Sequence, residues 1–164
     1  MIVDANVFKG YYQFDIGVAH TLCACPGALF SLATANTPIY YDDGNIIESE
    51  WKALVDRDWF EPWLASQLTS GAIAYMTPIK DAGLEKNLAT LGFPSGRDIV
   101  YVRVGLGVAK ALKSACKFFT EDLDFYAPKQ KKSPAITRNK ILRASNGPVQ
   151  KLLRKRDIEV GCTP

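Results

Sequence analysis

The chain contains 164 residues, of which 48% are hydrophobic and 23% are charged, and its formal net charge at pH 7 is +3. This length and apolar content predict one domain with its own hydrophobic core, and the charged content indicates a globular protein. No apolar stretch approaches the roughly 18 residues of a membrane-spanning helix, and no basic segment followed by an apolar one marks a secretory signal. We therefore expect a cytoplasmic protein that does not associate with a membrane.

Hydrophobic periodicity and turn residues divide the chain into alternating strands and helices. In chain order, they predict a strand at 1–3, a helix soon after Asp4, a helical segment at 18–35, a strand at 39–41, helices at 46–55, 59–69, 82–91 and 97–114, a strand at 115–120, a Pro/Lys-rich loop at 127–134, a helical stretch at 137–156 broken at 146–148, and a strand at 158–160. This alternation predicts a three-layer α/β/α sandwich with a mainly parallel central sheet. Gly105 and Gly107 lie inside a predicted helix, where small residues indicate close packing rather than a phosphate-binding loop.

The cysteines give no sign of a zinc site. They are Cys23, Cys25, Cys116 and Cys162, and the chain has one histidine, His20. Cys23 and Cys25 form a C-x-C pair, but no second pair stands at the spacing that zinc ligands require. We expect free thiols in a reducing compartment.

Half of the basic residues are concentrated near the C-terminal end. Residues 129–156 contain ten Lys and Arg and no acidic residue, whereas residues 1–128 contain ten Lys and Arg and fifteen Asp and Glu. A basic block of this density can contact nucleic-acid phosphates, although a solvated surface segment has the same composition. Both interpretations stay open.

Two acidic motifs follow predicted strands. Asp4 comes directly after the first strand, in Asp-Ala-Asn, and Asp122 follows the strand at 115–120, in Thr-Glu-Asp-Leu-Asp-Phe. Because the carboxyl ends of parallel strands meet at one edge of a sheet, we expect both carboxylates there. Crowded carboxylates raise one another's pKa, so such a cluster usually persists because a cation binds it, and Mg²⁺ and Mn²⁺ prefer oxygen ligands. These motifs therefore predict a metal-dependent phosphodiesterase.

The ordered set of acids resembles the PIN domain, a fold of metal-dependent ribonucleases found in many toxins of toxin–antitoxin pairs. That family has an acid after the first strand, another on an early helix, a third at the start of the helix before a T-x-D string, and the aspartate of that string. The positions are matched here by Asp4, Glu50, Asp98 and Asp122. The resemblance spans residues 4–125 and implies a single PIN-like domain over residues 1–164, with a basic segment at 129–156.

The resemblance also implies a catalytic site. Asp4, Glu50, Asp98 and Asp122 would bind one or two Mg²⁺ or Mn²⁺ ions and act as the catalytic residues of an endoribonuclease. The metal lowers the pKa of a bound water and holds the scissile phosphate, so no side-chain nucleophile is needed, and the products carry a 5′-phosphate and a 3′-hydroxyl. The residues expected to orient the carboxylates or metal-bound waters, or else to act as local caps, are Asn6, Thr120 and Asp124.

Two of these positions have alternatives. Glu48 and Glu50 stand two residues apart on one predicted helix and point in different directions, so at most one faces the site. Asp98 would be favoured near a helix N-terminus by about 0.3–1 kcal/mol even without a metal, so a structural role also explains it. Asp42 and Asp43 are expected to be turn and cap residues.

The partners follow from the same resemblance. RNA phosphates would be contacted, without sequence choice, by Lys129, Lys131, Lys132, Arg138, Lys140 and Arg143. An antitoxin protein and a homodimer are further partners that the family implies. Two alternative functions remain: a PIN-like module that binds RNA or protein without cleaving, and another acid-rich α/β enzyme such as a phosphatase or phosphoacceptor domain. The aspartate-nucleophile hydrolases carry D-x-D after the first strand, where this chain has Asp-Ala-Asn.

Overall fold

The computed structural model describes residues 1–17, 24–144 and 146–162. His20, Cys23 and the first part of the predicted helix at 18–35 lie outside the described residues. Cys116 and Cys162 are free thiols, as predicted. In the described part of the chain, no helix combines the length and the apolar content needed to cross a bilayer.

Helices and strands alternate along the chain much as the hydrophobic pattern predicts, except for one strand at 73–76 that was not predicted. The strands are β1 (Ile2–Val3), β2 (Ile39–Asp42), β3 (Ile73–Met76), β4 (Cys116–Phe119) and β5 (Ile158–Gly161). The helices of the described residues are α1 (Ala5–Asp15), α2 (Ala24–Ser31), α3 (Ile46–Lys52), α4 (Arg57–Ser70), α5 (Ala82–Thr90), α6 (Asp98–Leu112), α7 (Ala135–Arg143) and α8 (Pro148–Arg154). Two short 3-10 turns, Leu123–Phe125 and Pro128–Gln130, follow β4.

The strands form two parallel sheets that lie side by side. In one sheet β1 pairs with β4 and β4 with β5, and Ile2 lies opposite Phe118; in the other, β2 pairs with β3. A backbone hydrogen bond of 2.9 Å from the Tyr40 N–H to the Met1 carbonyl joins β2 to β1. The strand order is therefore β3-β2-β1-β4-β5. The residues that follow β1 and β4 meet at one edge of this array because the two strands are parallel.

Helix α6 lies across both sheets and supplies much of the core. It packs against all five strands, and its buried residues include Val100, Tyr101, Val104 and Val108. These residues recur at helical spacing, so one side of the helix is continuously apolar. The chain is thus a mixed α/β protein with parallel strands, which confirms the predicted fold class at this level.

Gly107→Ala is expected to lower the free energy of unfolding by about 1–3 kcal/mol. A Cβ atom on Gly107 would lie 2.6 Å from the carbonyl oxygen of Thr77 and 2.9 Å from Cγ of Met76, so backbone would have to shift. The matched control is Gly83→Ala in α5, where the added Cβ meets Asp81 Oδ1 at 3.4 Å, an ordinary contact. That variant should be more stable by up to about 1 kcal/mol, because alanine favours helix. Urea unfolding of both proteins checks the prediction, and a Gly107→Ala protein of natural stability would contradict it.

An aromatic cluster fixes α3 against α1. The rings of Phe8 and Trp51 stack with centroids 4.0 Å apart and an interplanar angle of 14°. Phe60 of α4 meets Phe8 edge to face, with centroids 5.9 Å apart. All three side chains are completely buried. Because Trp51 is held in the core, the preceding residue, Glu50, has a fixed place on the adjoining face of α3.

The cap of α3 comes from the end of β2. Asp42 is buried, and its carboxylate accepts hydrogen bonds from the backbone N–H groups of Ile46 at 2.9 Å and Ile47 at 2.7 Å. Asp43 accepts a hydrogen bond from the hydroxyl of Thr77. Asp42 therefore has the predicted capping role, and it anchors the helix that carries Glu50.

Candidate functional site

Asp4 stands between the end of β1 and the start of α1, with a buried carboxylate. Its backbone N–H donates to the carbonyl of Phe119 at 2.9 Å, which ties it to the end of β4. The residue is 5% exposed, and Oγ1 of Thr120 donates a hydrogen bond of 2.8 Å to Oδ2 of Asp4. Burial raises the pKa of Asp4 to about 7; the Thr120 hydrogen bond lowers it, and the charges of Asp122 and Glu50 raise it.

The segment after β4 is a hydrogen-bonded turn that places Asp122 near Asp4. Oγ1 of Thr120 accepts from the backbone N–H of Asp122 at 3.0 Å while donating to Asp4. The carboxylate of Asp122 accepts from the N–H of Asp124 at 2.9 Å and so caps the first 3-10 turn. The hydroxyl of Tyr126 donates to the carbonyl of Thr120 at 2.8 Å. Thr120 thus orients Asp4, whereas Asp122 has a local capping contact of its own.

Asp98 is the first residue of α6 and lies half-buried at the same edge. Its pKa is raised to about 6, first by burial and then by the charges of Asp122, Asp124 and Glu50, while Lys131 lowers it. The dipole of α6 favours the charged form and would lower the pKa of Asp98. The raised pKa therefore reflects burial and repulsion from the three neighbouring carboxylates. Asp98 therefore belongs to the same acidic cluster as Asp4.

The structure distinguishes the two glutamates of α3. The hydroxyl of Tyr101 in α6 donates a hydrogen bond of 2.9 Å to Oε2 of Glu50, which therefore faces α6. Burial raises the pKa of Tyr101, and the charges of Asp4 and Glu50 raise it further. Glu48 instead accepts a hydrogen bond of 3.0 Å from the hydroxyl of Tyr75 in β3. Glu50 lies within the cluster, and Glu48 has a separate partner.

A lysine contributes a positive charge to this cluster. The ammonium of Lys131 donates to Oδ2 of Asp124, whose side chain is almost completely buried, and lies 3.6 Å from Oδ1 of Asp122. The hydrogen bond from Lys131 to Asp124 raises the pKa of the lysine, and the charges of Asp122, Asp124 and Asp98 raise it further. The sequence predicts that Lys131 contacts RNA. In the structure its ammonium contacts acids of the same chain, Asp124 and Asp122.

The other predicted site residues lie on the surface. Asn6, in the first turn of α1, is exposed. The side chains of α7 include none that is buried. The six basic residues predicted to contact RNA are all exposed: Lys129, Lys131, Lys132, Arg138, Lys140 and Arg143.

The donor set of the acidic cluster fits Mg²⁺ or Mn²⁺ in its chemistry. Its ligating groups are carboxylates, and the raised pKa values of Asp4 and Asp98 reflect burial and repulsion that a divalent cation would relieve. Among residues 1–17, 24–144 and 146–162, no three His, Cys, Asp or Glu side chains are arranged to hold a metal ion. Several of the carboxylates accept hydrogen bonds from neighbouring groups instead, so an ion would have to draw them away from these partners.

Comparison of the chain with protein-family models, with curated proteins and with solved structures gave no match in any of the three. The charges of Glu50 and Asp122 act on both Asp4 and Asp98, so these four predicted acids, from four different parts of the chain, lie within electrostatic range of one another. The function is therefore argued from this geometry and from the residue pattern.

Proposed function

We propose that this protein is a metal-dependent endoribonuclease of the PIN type. The proposal is supported by the electrostatic coupling of Asp4, Glu50, Asp98 and Asp122: burial first, and then the charges of Glu50 and Asp122, raise the pKa of Asp4 to about 7 and of Asp98 to about 6. Strongly perturbed carboxylates at the carboxyl edge of a parallel sheet are more typical of a functional site than of a surface. The proposal includes the three-layer α/β/α architecture, with which the strand order β3-β2-β1-β4-β5 is compatible.

The residues of the cluster have distinct roles in this proposal. When bound, Mg²⁺ or Mn²⁺ would supply an activated water and charge neutralisation for the phosphate. Asp4, Glu50, Asp98 and Asp122 would hold the ion. The hydrogen bond from Thr120 fixes Asp4, and the hydrogen bond from Tyr101 fixes Glu50. Such partners restrict the carboxylates to a few orientations, which lowers the entropic cost of binding a cation.

RNA is the proposed substrate because of the charge distribution near the acidic edge. The 3-10 turns after β4 lead directly from Asp122 and Asp124 into the exposed basic segment that begins at Lys129. Basic side chains beside an acidic centre would hold the phosphate backbone without sequence choice. The cleaved strand would then have its phosphates on the basic segment and its scissile bond at the cluster.

The first test is cleavage of an end-labelled RNA pool with and without Mn²⁺. The natural protein should cleave only with the metal, and Asp4→Asn should lose at least about a hundredfold in rate, roughly 2.7 kcal/mol of transition-state stabilisation. Asp58→Asn, which removes an exposed acid in the first turn of α4, is the control and should keep its activity. Absence of cleavage by the folded natural protein at saturating Mn²⁺ would count against the enzyme.

A catalytically silent binding module is the second candidate. It is favoured by the contact of Lys131 with Asp124, because an internal ammonium gives the cluster a counter-charge without a metal. In that case the protein would bind RNA with Mn²⁺ absent, and the acid variants would leave RNA affinity unchanged. Filter binding at saturating Mn²⁺, with a gel to show whether the bound RNA stays intact, separates this function from the nuclease.

The proposal extends to the biological setting of the protein. A toxin neutralised by an antitoxin, a homodimer and a cytoplasmic location all follow from the resemblance to PIN domains. Co-expression with the products of neighbouring reading frames, followed by measurement of cleavage, would test the toxin assignment.

A further inference from the structure

Lys131 differs from the rest of the basic segment in where its ammonium lies. Its side chain is 57% exposed, yet Nζ contacts Asp124, whose side chain is 5% exposed, and approaches Asp122 at 3.6 Å. The same ammonium also influences Asp98, whose pKa it lowers. One cation of the basic segment is therefore placed among three carboxylates of the candidate site.

The backbone between β4 and Lys131 holds the lysine in this position. The N–H of Tyr126 donates to the carbonyl of Leu123 at 3.0 Å, and the N–H of Gln130 donates to the carbonyl of Ala127 at 2.8 Å. The N–H of Lys131 donates to the carbonyl of Pro128 at 3.2 Å. These contacts form two successive 3-10 turns, so the chain folds back and returns Lys131 to the acids it has just passed.

We propose that Lys131 is a built-in counter-cation of the acidic site, and that a divalent metal binds there only by displacing its ammonium from Asp122 and Asp124. This inference rests on the proposed function, since it concerns the same site. The ammonium lowers the repulsion that would otherwise draw a metal in, so it weakens metal affinity. It also keeps Asp124 paired, which a buried carboxylate requires.

Displacement is feasible because most of the lysine side chain is in solvent. A divalent cation carries more positive charge than the ammonium, so it can take over the pairing of the buried Asp124 when the exposed lysine leaves. The released Lys131 would then stand at the rim of the site, where it would meet an RNA phosphate. Metal binding and the predicted RNA contact of Lys131 would thus be linked.

The test measures Mn²⁺ affinity directly, by the electron paramagnetic resonance signal of free Mn²⁺, without reference to activity. Lys131→Met keeps the length of the side chain and removes its charge, and it should bind Mn²⁺ at least about tenfold more tightly than the natural protein. Lys131→Arg retains the charge and should bind as weakly as the natural protein. The matched control is Lys132→Met, which removes the same charge from the next, exposed position and should change the affinity by less than about twofold.

Thermal unfolding supplies a second measurement on the same proteins. In EDTA, Lys131→Met should have a lower Tm than Lys132→Met because Asp124 has lost its partner, and saturating Mn²⁺ should abolish this difference in Tm. A Lys131→Met protein that stays destabilised or unfolded with Mn²⁺ would overturn the inference. Equal Mn²⁺ affinity in all four proteins would overturn it too, while leaving the nuclease proposal intact. Absence of Mn²⁺ binding by every protein would instead remove the metal site and both proposals.

Discussion

In EDTA, Asp4→Asn should be more stable than the natural protein by about 2–4 kcal/mol at pH 8 and nearly equal to it at pH 4. Burial and the neighbouring acids raise the pKa of Asp4 from 3.8 to about 7, so the folded state binds this proton more tightly than the unfolded state does. Stability from this group is therefore present at low pH and is lost as the pH rises from about 4 through 7. Asparagine carries no charge at any of these pH values, so the variant avoids that loss.

The substitution keeps the local packing, which makes the comparison informative. Asparagine has the same shape as aspartate, and its side-chain oxygen can accept the hydrogen bond that Thr120 donates to Asp4. Urea unfolding at several pH values measures the difference, with Asp58→Asn as a control that should differ by less than about 0.5 kcal/mol throughout. A difference between Asp4→Asn and the natural protein that does not depend on pH would contradict the raised pKa of Asp4.

Mn²⁺ should offset most of this difference in stability. A metal held by Asp4 binds the folded state only, so it stabilises the natural protein by RT ln(1 + [Mn²⁺]/Kd), about 2.7 kcal/mol at a hundredfold excess over Kd. Asp4→Asn would show much less of this stabilisation. The same pair of proteins thus separates a structural acid, which Mn²⁺ leaves unaffected, from a metal ligand.

The sequence predicted the elements that have strong local signals and missed the one that depends on a distant partner. Glycine, proline and cap residues marked the ends of α4, α5 and α6 to within about two residues. Strand β3 (Ile73–Met76) was not predicted, because a four-residue apolar run has no distinctive period. Pairing of Ile39 with Ile73 makes this run a strand, and that contact lies 34 positions apart in the chain.

The candidate site shows the same division between local and long-range information. The acids were predictable because Asp4 and Asp122 follow strands. Tyr101 was missed as a partner of Glu50, although it stands one helical turn after Asp98 and so shares its face of α6. The position of Lys131 among the acids depends on two consecutive 3-10 turns, and nothing in a Pro/Lys-rich segment specifies that path in advance.

Glu50→Gln should reduce metal-dependent RNA cleavage by at least about a hundredfold, whereas Glu48→Gln should stay within about threefold of the natural rate. The two variants are closely matched, since each removes one negative charge from α3 and each alters one hydrogen bond from a tyrosine. Glu50 is bonded to Tyr101 inside the cluster, and Glu48 is bonded to Tyr75 on β3. Of the two glutamates, only Glu50 contributes to the raised pKa values of Asp4 and Asp98.

Single-turnover cleavage at saturating Mn²⁺, with circular dichroism to verify folding, provides the comparison. Both variants remove one negative charge from α3, so a long-range electrostatic effect would lower the cleavage rate almost equally in both. A large loss in Glu50→Gln alone would therefore assign Glu50 as a metal ligand. Equal losses would point to the stability of α3 or to that field. Full activity in both would mean that cleavage does not involve α3. The three other acids, Asp4, Asp98 and Asp122, would then have to hold the metal by themselves.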